Sequence, residues 1–190
     1  MDELEKKLLE VKDTSELMVD LAYSSLLYNN REIAQEVMEL EEYTDELTTS
    51  IQQEAIKRAL ADGDVSRAFV TIKLIESLEE ICDAASGIAD VVMKNVEPHP
   101  VIKMSIRDSE VIIATASVAE GSDLADRSLG ESRLASQSGM WVVAIKRDRR
   151  YFYGPDEGMT VLVGDTLIVR GPKDGEEFFK DLASGKARLV

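Results

Sequence analysis

Hydrophobic residues in the first half of the chain recur at steps of three and four, the spacing of one face of an α-helix. The pattern predicts three helices: residues 3–28, a second helix ending at Asp62, and a third that stops before Pro98. Asn30 and Asp64 are suited to cap the second and third helices, because both residue types accept hydrogen bonds from helix N-termini. Three long amphipathic helices indicate a helical bundle.

In the second half the pattern changes to short β-branched runs separated by glycine and charged residues. Val111–Val118 is predicted to form a strand, and Trp141–Ile145 and Thr166–Val169 are predicted to be the central strands of one small sheet. A short helix is predicted over Asp123–Leu134, and a final helix from about Asp174 to Leu182. The order is β-α-β-β-β-α, so the whole chain is predicted to be α+β: a three-helix bundle followed by a small sheet domain.

The boundary between these halves is predicted at Pro98-His99-Pro100, where the helical period ends. This gives domains over 1–97 and 98–190. Residues 1–97 contain 9 lysines and arginines against 23 acidic residues, a net charge of −14, whereas residues 98–190 contain 13 against 14, a net charge of −1. The two halves are therefore predicted to present different kinds of surface.

The amino-acid composition limits the classes of protein to which this chain can belong. A chain with 44% hydrophobic and 31% charged residues is expected to fold around a core. Its acidic balance argues against a nucleic-acid partner and against an anionic membrane surface, because both would be repelled. Cys82 is the only cysteine, which fits a reducing cytoplasm. The sequence shows neither a signal-peptide profile nor an apolar run of about 20 residues, so the chain is expected to be cytoplasmic and not itself a channel.

Two carboxylate pairs border the apolar faces of the second and third helices. Glu41 and Asp45 lie four residues apart, and Glu79 and Asp83 repeat this spacing. The members of each pair point the same way, so the two pairs together could offer four oxygen ligands to a cation. A solvated acidic face and a partner-docking surface are alternatives that the spacing leaves open.

The helical half resembles a PhoU domain, the helical domain of phosphate-signalling regulators, whose hallmark is Glu-x-x-x-Asp on each of two helices. In PhoU proteins these motifs bind multinuclear metal clusters. The resemblance therefore implies a divalent or ferric ion held by Glu41, Asp45, Glu79 and Asp83. It covers about one three-helix repeat, where full PhoU proteins carry two, so a shared site would form between subunits.

The stretch 139–171 resembles the TrkA C-terminal domain, the regulatory C-domain of potassium-uptake and potassium-channel regulators. Those domains carry a Gly-x-x-Val-x-Ala-Ile-x-Arg strand and a Gly-Asp-x-Leu strand. The matching residues here are Gly139, Val142, Ala144, Ile145, Arg147, Gly164, Asp165 and Leu167. The chain departs from the family pattern at Gly154, where asparagine typically precedes Pro155, and at Asp126, where a glycine is expected.

A basic cluster of Lys146, Arg147, Arg149 and Arg150 precedes the aromatic residues 151–153. It is either a charged hairpin turn or a binding site for a phosphate-bearing ligand beside aromatic faces. In the resembled domains, ligands such as cyclic dinucleotides or metal ions bind in a groove at the dimer interface. The candidate ligand residues are accordingly Arg147, Arg149, Arg150, Tyr153 and Pro155.

The sequence contains no dinucleotide-binding, phosphate-loop or nucleophile-elbow motif, so neither NAD nor ATP binding nor catalysis is predicted. The resemblances imply a cytoplasmic regulator of potassium or other cation transport. Such a protein would assemble as a homodimer or higher through its helical half, sense a small anionic ligand through its C-domain and act on a membrane channel or transporter. A metal-binding phosphate-signalling or scaffold protein is the alternative.

Overall fold

In the computed structural model, the chain folds into two compact units, Met1–Ser105 and Ile106–Val190. It describes residues 1–96, 111–148 and 150–189. The predicted linker Pro98-His99-Pro100 and the candidate ligand residue Arg149 lie outside the described residues. The domain boundary between residues 97 and 98 therefore stays a prediction.

The first unit is a bundle of three long helices, which confirms the prediction from the apolar periodicity. Helix α1 spans Glu3–Tyr28, α2 spans Arg31–Asp62 and α3 spans Val65–Met93. Each helix packs against the other two. Among the described residues, no helix is long and apolar enough to cross a membrane.

Local side-chain chemistry sets where these helices begin and end. The Asn30 side chain accepts hydrogen bonds from the backbone N–H groups of Glu32 and Ile33, and Asp64 caps α3 in the same way. Gly63 ends α2 with a left-handed φ of 78°. Each cap of this kind stabilises its helix by about 1 kcal/mol. The connections between the helices are short because the capping residues and Gly63 specify the turns.

The core of the bundle is apolar and lies along the faces that the periodicity identified. The apolar side chains that are fully shielded from solvent are Val11, Met18, Leu21, Ala22, Ile33, Ala34, Val37, Leu40, Ile51, Ile75 and Ala89. Burying an aliphatic side chain contributes about 1.5–3 kcal/mol, and this stripe is therefore the main source of the bundle's stability.

The second unit is a four-stranded sheet with short helices. Its elements in chain order are β1 Val111–Ser117, α4 Leu129–Ser132, α5 Leu134–Ser138, β2 Trp141–Arg147, β3 Arg150–Tyr153, β4 Thr166–Pro172 and α6 Glu176–Ala183, with a single 3₁₀ turn, Lys173–Gly175, before α6. The strand order is β1-β4-β2-β3, and every neighbouring pair is antiparallel. Strands β2 and β4 are therefore central, as predicted. Phe179 and Leu182 of α6 are fully buried, and α6 packs on β1.

The predicted helix over Asp123–Leu134 was wrong in its first half. Turns occupy this segment up to Ser128, and the helical residues form two short helices, α4 and α5. Asp126 has a left-handed φ of 60°, which interrupts the right-handed helical conformation within this segment. Asp126 is the position where the resembled family has glycine, and its φ is one that glycine adopts most readily.

Candidate functional site

The first candidate site lies between α2 and α3. Glu41 and Asp45 on α2 and Asp83 on α3 each place one carboxylate oxygen within 4.8 Å of the others. Glu41 is half-buried, whereas Asp45 and Asp83 are exposed. Three of the four carboxylates predicted from the spacing therefore converge across the two helices, because the caps at Asn30 and Asp64 fix where each helix starts.

Glu79 lies outside this group of three but belongs to the same electrostatic environment. Partial burial raises the pKa of Glu79 above its usual value, and the nearby charges of Asp45 and Asp83 raise it further. The pKa of Glu41 is raised in the same way, first by burial and then by the same two aspartates. Like charges held together in this way favour uptake of a proton or a cation. We call Glu41, Asp45, Glu79 and Asp83 the acidic cluster.

Cys82 adjoins the acidic cluster but does not add a reactive ligand to it. The side chain is buried, and burial raises the pKa of the thiol to about 11, with the neighbouring acidic charges acting in the same direction. A thiol must lose its proton to act as a nucleophile or a strong metal ligand. Hard carboxylate oxygens are therefore the ligands that this site offers, and they suit a divalent or ferric ion.

The second candidate site was predicted on the β2–β3 hairpin, where Arg147 makes a specific internal ion pair. Its guanidinium Nε and Nη2 atoms donate to the two carboxylate oxygens of Asp165 over 2.7 Å each, and Nη2 also donates to the Thr160 carbonyl over 2.8 Å. Asp165 is only 1% exposed and also accepts from the Leu162 N–H. Arg147 therefore ties β2 to the loop that precedes β4.

Other residues of the hairpin make aromatic contacts with one another. Tyr151 and Tyr153 stack with their ring centroids 6.1 Å apart, and the Lys146 ammonium lies 5.6 Å from the Tyr151 centroid. Arg150 is exposed. Arg150 and Tyr153 both lie on β3. Their role in ligand binding stays a prediction.

A groove of about 470 Å³ lies on this unit beside Pro155. Its walls come from α4, α5, the start of β2 and the loop 155–157. Backbone hydrogen bonds hold that loop against α4, since the Gly130 N–H donates to the Glu157 carbonyl over 2.8 Å. The lining residues are Leu129, Gly130, Arg133, Leu134, Ala135, Ser136, Met140, Trp141, Val142, Pro155, Asp156 and Glu157.

Among the described residues, Pro155 is the predicted ligand residue that lines this groove, and sequence reasoning missed Arg133 and Trp141. Arg133 is exposed and takes a left-handed φ of 48° where α4 gives way to α5. Trp141 is 69% exposed at the start of β2. The single tryptophan of the chain, at the beginning of a strand otherwise made of small and β-branched residues, was the available signal.

Each half of the chain matches the model of a known domain family. The PhoU domain model matches residues 8–92, and the TrkA-C domain model matches residues 113–183. No curated protein sequence matches the chain. Both families are regulatory rather than catalytic.

Solved structures with similar folds include the RCK_C domain dimer of S. agalactiae BusR in complex with c-di-AMP. It is 24% identical, with a TM-score of 0.35, and the match covers 37% of this chain and 92% of that chain. The GsuK RCK domain is 15% identical, with a TM-score of 0.35, over 58% of this chain and 24% of that chain. This chain therefore spans about a quarter of the length of the GsuK protein.

A further comparison corrects the expected partners. S. agalactiae BusR in complex with its busAB-promotor DNA is 11% identical, with a TM-score of 0.36, over 87% of this chain and 98% of that chain. The expectation that nucleic acid is excluded as a partner was therefore wrong. The exclusion relied on net charge, which averages over the whole chain, whereas DNA contacts depend on a local surface. The two family matches show that the chain contains a PhoU domain over residues 8–92 followed by a TrkA-C domain over residues 113–183.

Proposed function

We propose that this chain is a cytoplasmic regulatory protein of potassium or other cation transport. In this proposal the TrkA-C domain senses a small ligand, and the PhoU domain assembles the chain into a homodimer or larger oligomer. A ligand that binds one state of the assembly more tightly than another shifts the balance between states, and a membrane channel or transporter would respond to that shift. The chain itself would carry out no catalysis.

The observation that carries the proposal is the groove beside Pro155 in a domain of a regulatory family. Its volume of about 470 Å³ falls in the range of small-molecule sites, which is roughly 300–1,000 Å³. Trp141 offers an aromatic face on which a base can stack, and Arg133 offers a cation for a phosphate group. These two residues together favour a ligand that combines an aromatic base with a phosphate, such as a cyclic dinucleotide.

The charge of the two domains supports the same location for an anionic ligand. The segment 1–97, which contains the PhoU domain, carries a net charge of −14 and repels anions, whereas the segment 98–190 carries −1. Two acidic residues, Asp156 and Glu157, also line the groove, and the Asp156 carboxylate accepts a hydrogen bond from the Gly158 N–H that helps to shape the loop. Arg150, which is exposed on β3 but does not line the groove, is the phosphate contact that was predicted from the sequence.

Calorimetric titration of cyclic dinucleotides and simple nucleotides into the full chain tests this proposal. Arg133→Ala is expected to weaken binding by about one to two decades, because it removes one charge-assisted contact in the groove, and Arg150→Ala tests the contact that was predicted from the sequence. Arg127→Ala is the matched control, since Arg127 is exposed in the same domain but does not line the groove. Binding that is unchanged by the first two variants would refute the site, and no binding by any of these ligands would refute the proposed ligand class.

A second candidate function is supported by the convergence of Glu41, Asp45 and Asp83. In this alternative the PhoU domain binds a divalent or ferric ion, and the chain acts in phosphate signalling or as a scaffold. Bound metal stabilises the folded state according to its affinity, so it raises the melting temperature. Replacing Glu79 and Asp83 by glutamine and asparagine should abolish that rise.

Glu46→Gln is the matched control for the metal experiment. Glu46 directly follows Asp45 and is exposed, but its carboxylate is not one of the three that converge. The control should keep the full metal-dependent rise in melting temperature. If metal leaves the melting temperature of the unmodified protein unchanged, the acidic cluster is a solvated surface.

A further inference from the structure

Helix α3 carries a second apolar stripe, separate from the one that fills the core of the bundle. Val70, Leu74 and Ile81 are 65%, 54% and 43% exposed. Together with Ser77, Ala84 and Ile88 they recur at alternating steps of four and three residues, which is the spacing of a helix that pairs with another helix. The stripe extends over about 27 Å at 1.5 Å per residue. We call these six residues the outer stripe.

Two further features make the outer stripe suitable for close packing. The Ser77 hydroxyl donates to the Lys73 carbonyl over 3.1 Å, so its hydrogen bond is satisfied within α3. Along one edge, Val19 and Tyr23 of α1 join Ile81, Ala84 and Ile88 to form a shallow groove of about 370 Å³. A continuous exposed apolar surface of this kind on a strongly acidic unit marks an interaction site.

The order of residues along α3 indicates which partner fits. In an antiparallel pair of α3 helices centred on Ser77, Val70 faces Ala84 of the other copy and Leu74 faces Ile81. Each bulky residue then meets a smaller or branched one. A parallel pair would instead place Leu74 against Leu74. The apolar residues therefore allow the antiparallel pairing, and the charges beside the stripe decide its direction.

The charges along the open edge of the stripe have the same symmetry. Lys73 and Glu80 lie seven residues apart on this edge, at almost equal distances on either side of Ser77. The antiparallel arrangement places Lys73 of each copy beside Glu80 of the other, which makes two opposite-charge contacts. Within one chain, Lys73 pairs with Glu76 over 2.6 Å in an exposed i, i+3 contact, which is weak enough to be exchanged.

We propose that α3 of one copy packs antiparallel against α3 of a second copy through the outer stripe, about a two-fold axis close to Ser77. This inference deepens the assembly role of the PhoU domain and rests on that part of the proposed function. The interface is isologous, with the same surface contributed by both copies, which is the commonest arrangement in protein dimers.

Site-specific cross-linking of the full chain tests the location of the axis. In a Cys82→Ala background, Ser77→Cys places one thiol from each copy at the axis, where an added mild oxidant removes two protons and two electrons to form a disulfide. Gln53→Cys is the control, since Gln53 is exposed on α2, away from the stripe. Efficient covalent dimer formation by Ser77→Cys and little by Gln53→Cys is expected. Equal cross-linking of the two variants, or a monomer in which Ser77→Cys does not cross-link, would overturn the inference.

A charge-exchange experiment tests the direction of packing. Lys73→Glu and Glu80→Lys each place like charges together in a homodimer, and each should weaken association by about tenfold. An equimolar mixture of the two variants should restore association, because opposite charges again meet across the interface. Association that is not restored in the mixture, measured by sedimentation, would contradict the antiparallel arrangement.

The two experiments separate this inference from the ligand proposal. Cyclic-dinucleotide binding in a protein whose Ser77→Cys variant does not cross-link would refute the α3 interface alone. Specific cross-linking in a protein that binds none of the tested ligands would support the interface and refute the proposed ligand class. A chain that is monomeric in dilute light scattering would refute both the interface and the proposed assembly.

Discussion

The two domains place their charges in opposite ways. In the TrkA-C domain, Arg147 and the buried Asp165 neutralise each other through two 2.7 Å hydrogen bonds that connect β2 to the loop before β4. In the PhoU domain, the acidic cluster brings negative charges together, and both Glu41 and Glu79 have raised pKa values. A compensated buried pair is part of the fold, whereas a crowded set of like charges lowers stability until a proton or a cation binds.

In the sequence, the carboxylate spacing and the basic hairpin looked like comparable signals of a binding site. In the structure, their charged groups have different partners. The guanidinium of Arg147 is already engaged by Asp165 and the Thr160 carbonyl. The acidic cluster has three oxygens within 4.8 Å of one another. The first arrangement holds a loop in place, whereas the second brings carboxylate oxygens from two helices close together.

The largest expected effect concerns the apolar core on which the PhoU domain depends. Ile75 is fully buried in a cluster with Leu4, Val11, Leu47 and Ile51. Ile75→Asp should lower the free energy of unfolding by more than about 4 kcal/mol, because it buries an unpaired charge and removes apolar contacts. Urea unfolding followed by helical circular dichroism measures this. Leu60→Asp, at a position that is 83% exposed, should cost less than about 1 kcal/mol.

The second prediction tests whether the Arg147–Asp165 pair is structural. Arg147→Met keeps most of the aliphatic side chain but leaves the Asp165 carboxylate buried without its partner, and this should cost about 3–5 kcal/mol of unfolding free energy. Arg150→Met, at an exposed site on the same hairpin, should change stability by less than about 0.5 kcal/mol. Equal losses in both variants, measured by urea unfolding, would show that the ion pair has no special role.

A smaller effect is expected at the start of α2, the helix that carries Glu41 and Asp45. Asn30→Ala removes the side-chain oxygen that accepts from the N–H groups of Glu32 and Ile33, and should cost about 1 kcal/mol. Asn30→Ser retains an acceptor and should be close to neutral. Thermal unfolding of both variants provides the measurement, and a loss in Asn30→Ser as large as in Asn30→Ala would argue against capping as the cause.

The smallest effect concerns pH and the acidic cluster, measured in the presence of a chelator. Because the folded-state pKa values of Glu41 and Glu79 are raised, the folded protein holds these protons more tightly than the unfolded chain does. The contribution of these two carboxyl groups to the free energy of unfolding is therefore fully present at low pH. It is lost as the pH rises from about 4.5 through the folded-state pKa values. Glu41→Gln should reduce this loss and raise the urea midpoint near pH 7. A midpoint that falls instead would show that the ionised Glu41 is stabilised by its surroundings.

The sequence by itself determined the features that depend on near neighbours along the chain. The three helices followed from apolar periodicity, and their ends followed from Asn30, Gly63 and Asp64, because a cap involves only residues within one helical turn. The two central strands followed from β-branched runs closed by glycine. The spacing also indicated which carboxylates share a helix face, because that depends on helix geometry alone.

Only the tertiary structure decided which residues meet across segments that are distant in the sequence. Arg147 finds Asp165 eighteen residues further on, and the groove combines Arg133, Trp141 and Pro155 from three separate segments. Helix formation over Asp123–Leu134 was overridden by hydrogen bonds to the loop before β4, such as that from the Asp126 N–H to the Val161 carbonyl. Local pattern contains no information about such partners, because packing and backbone pairing between remote segments select them.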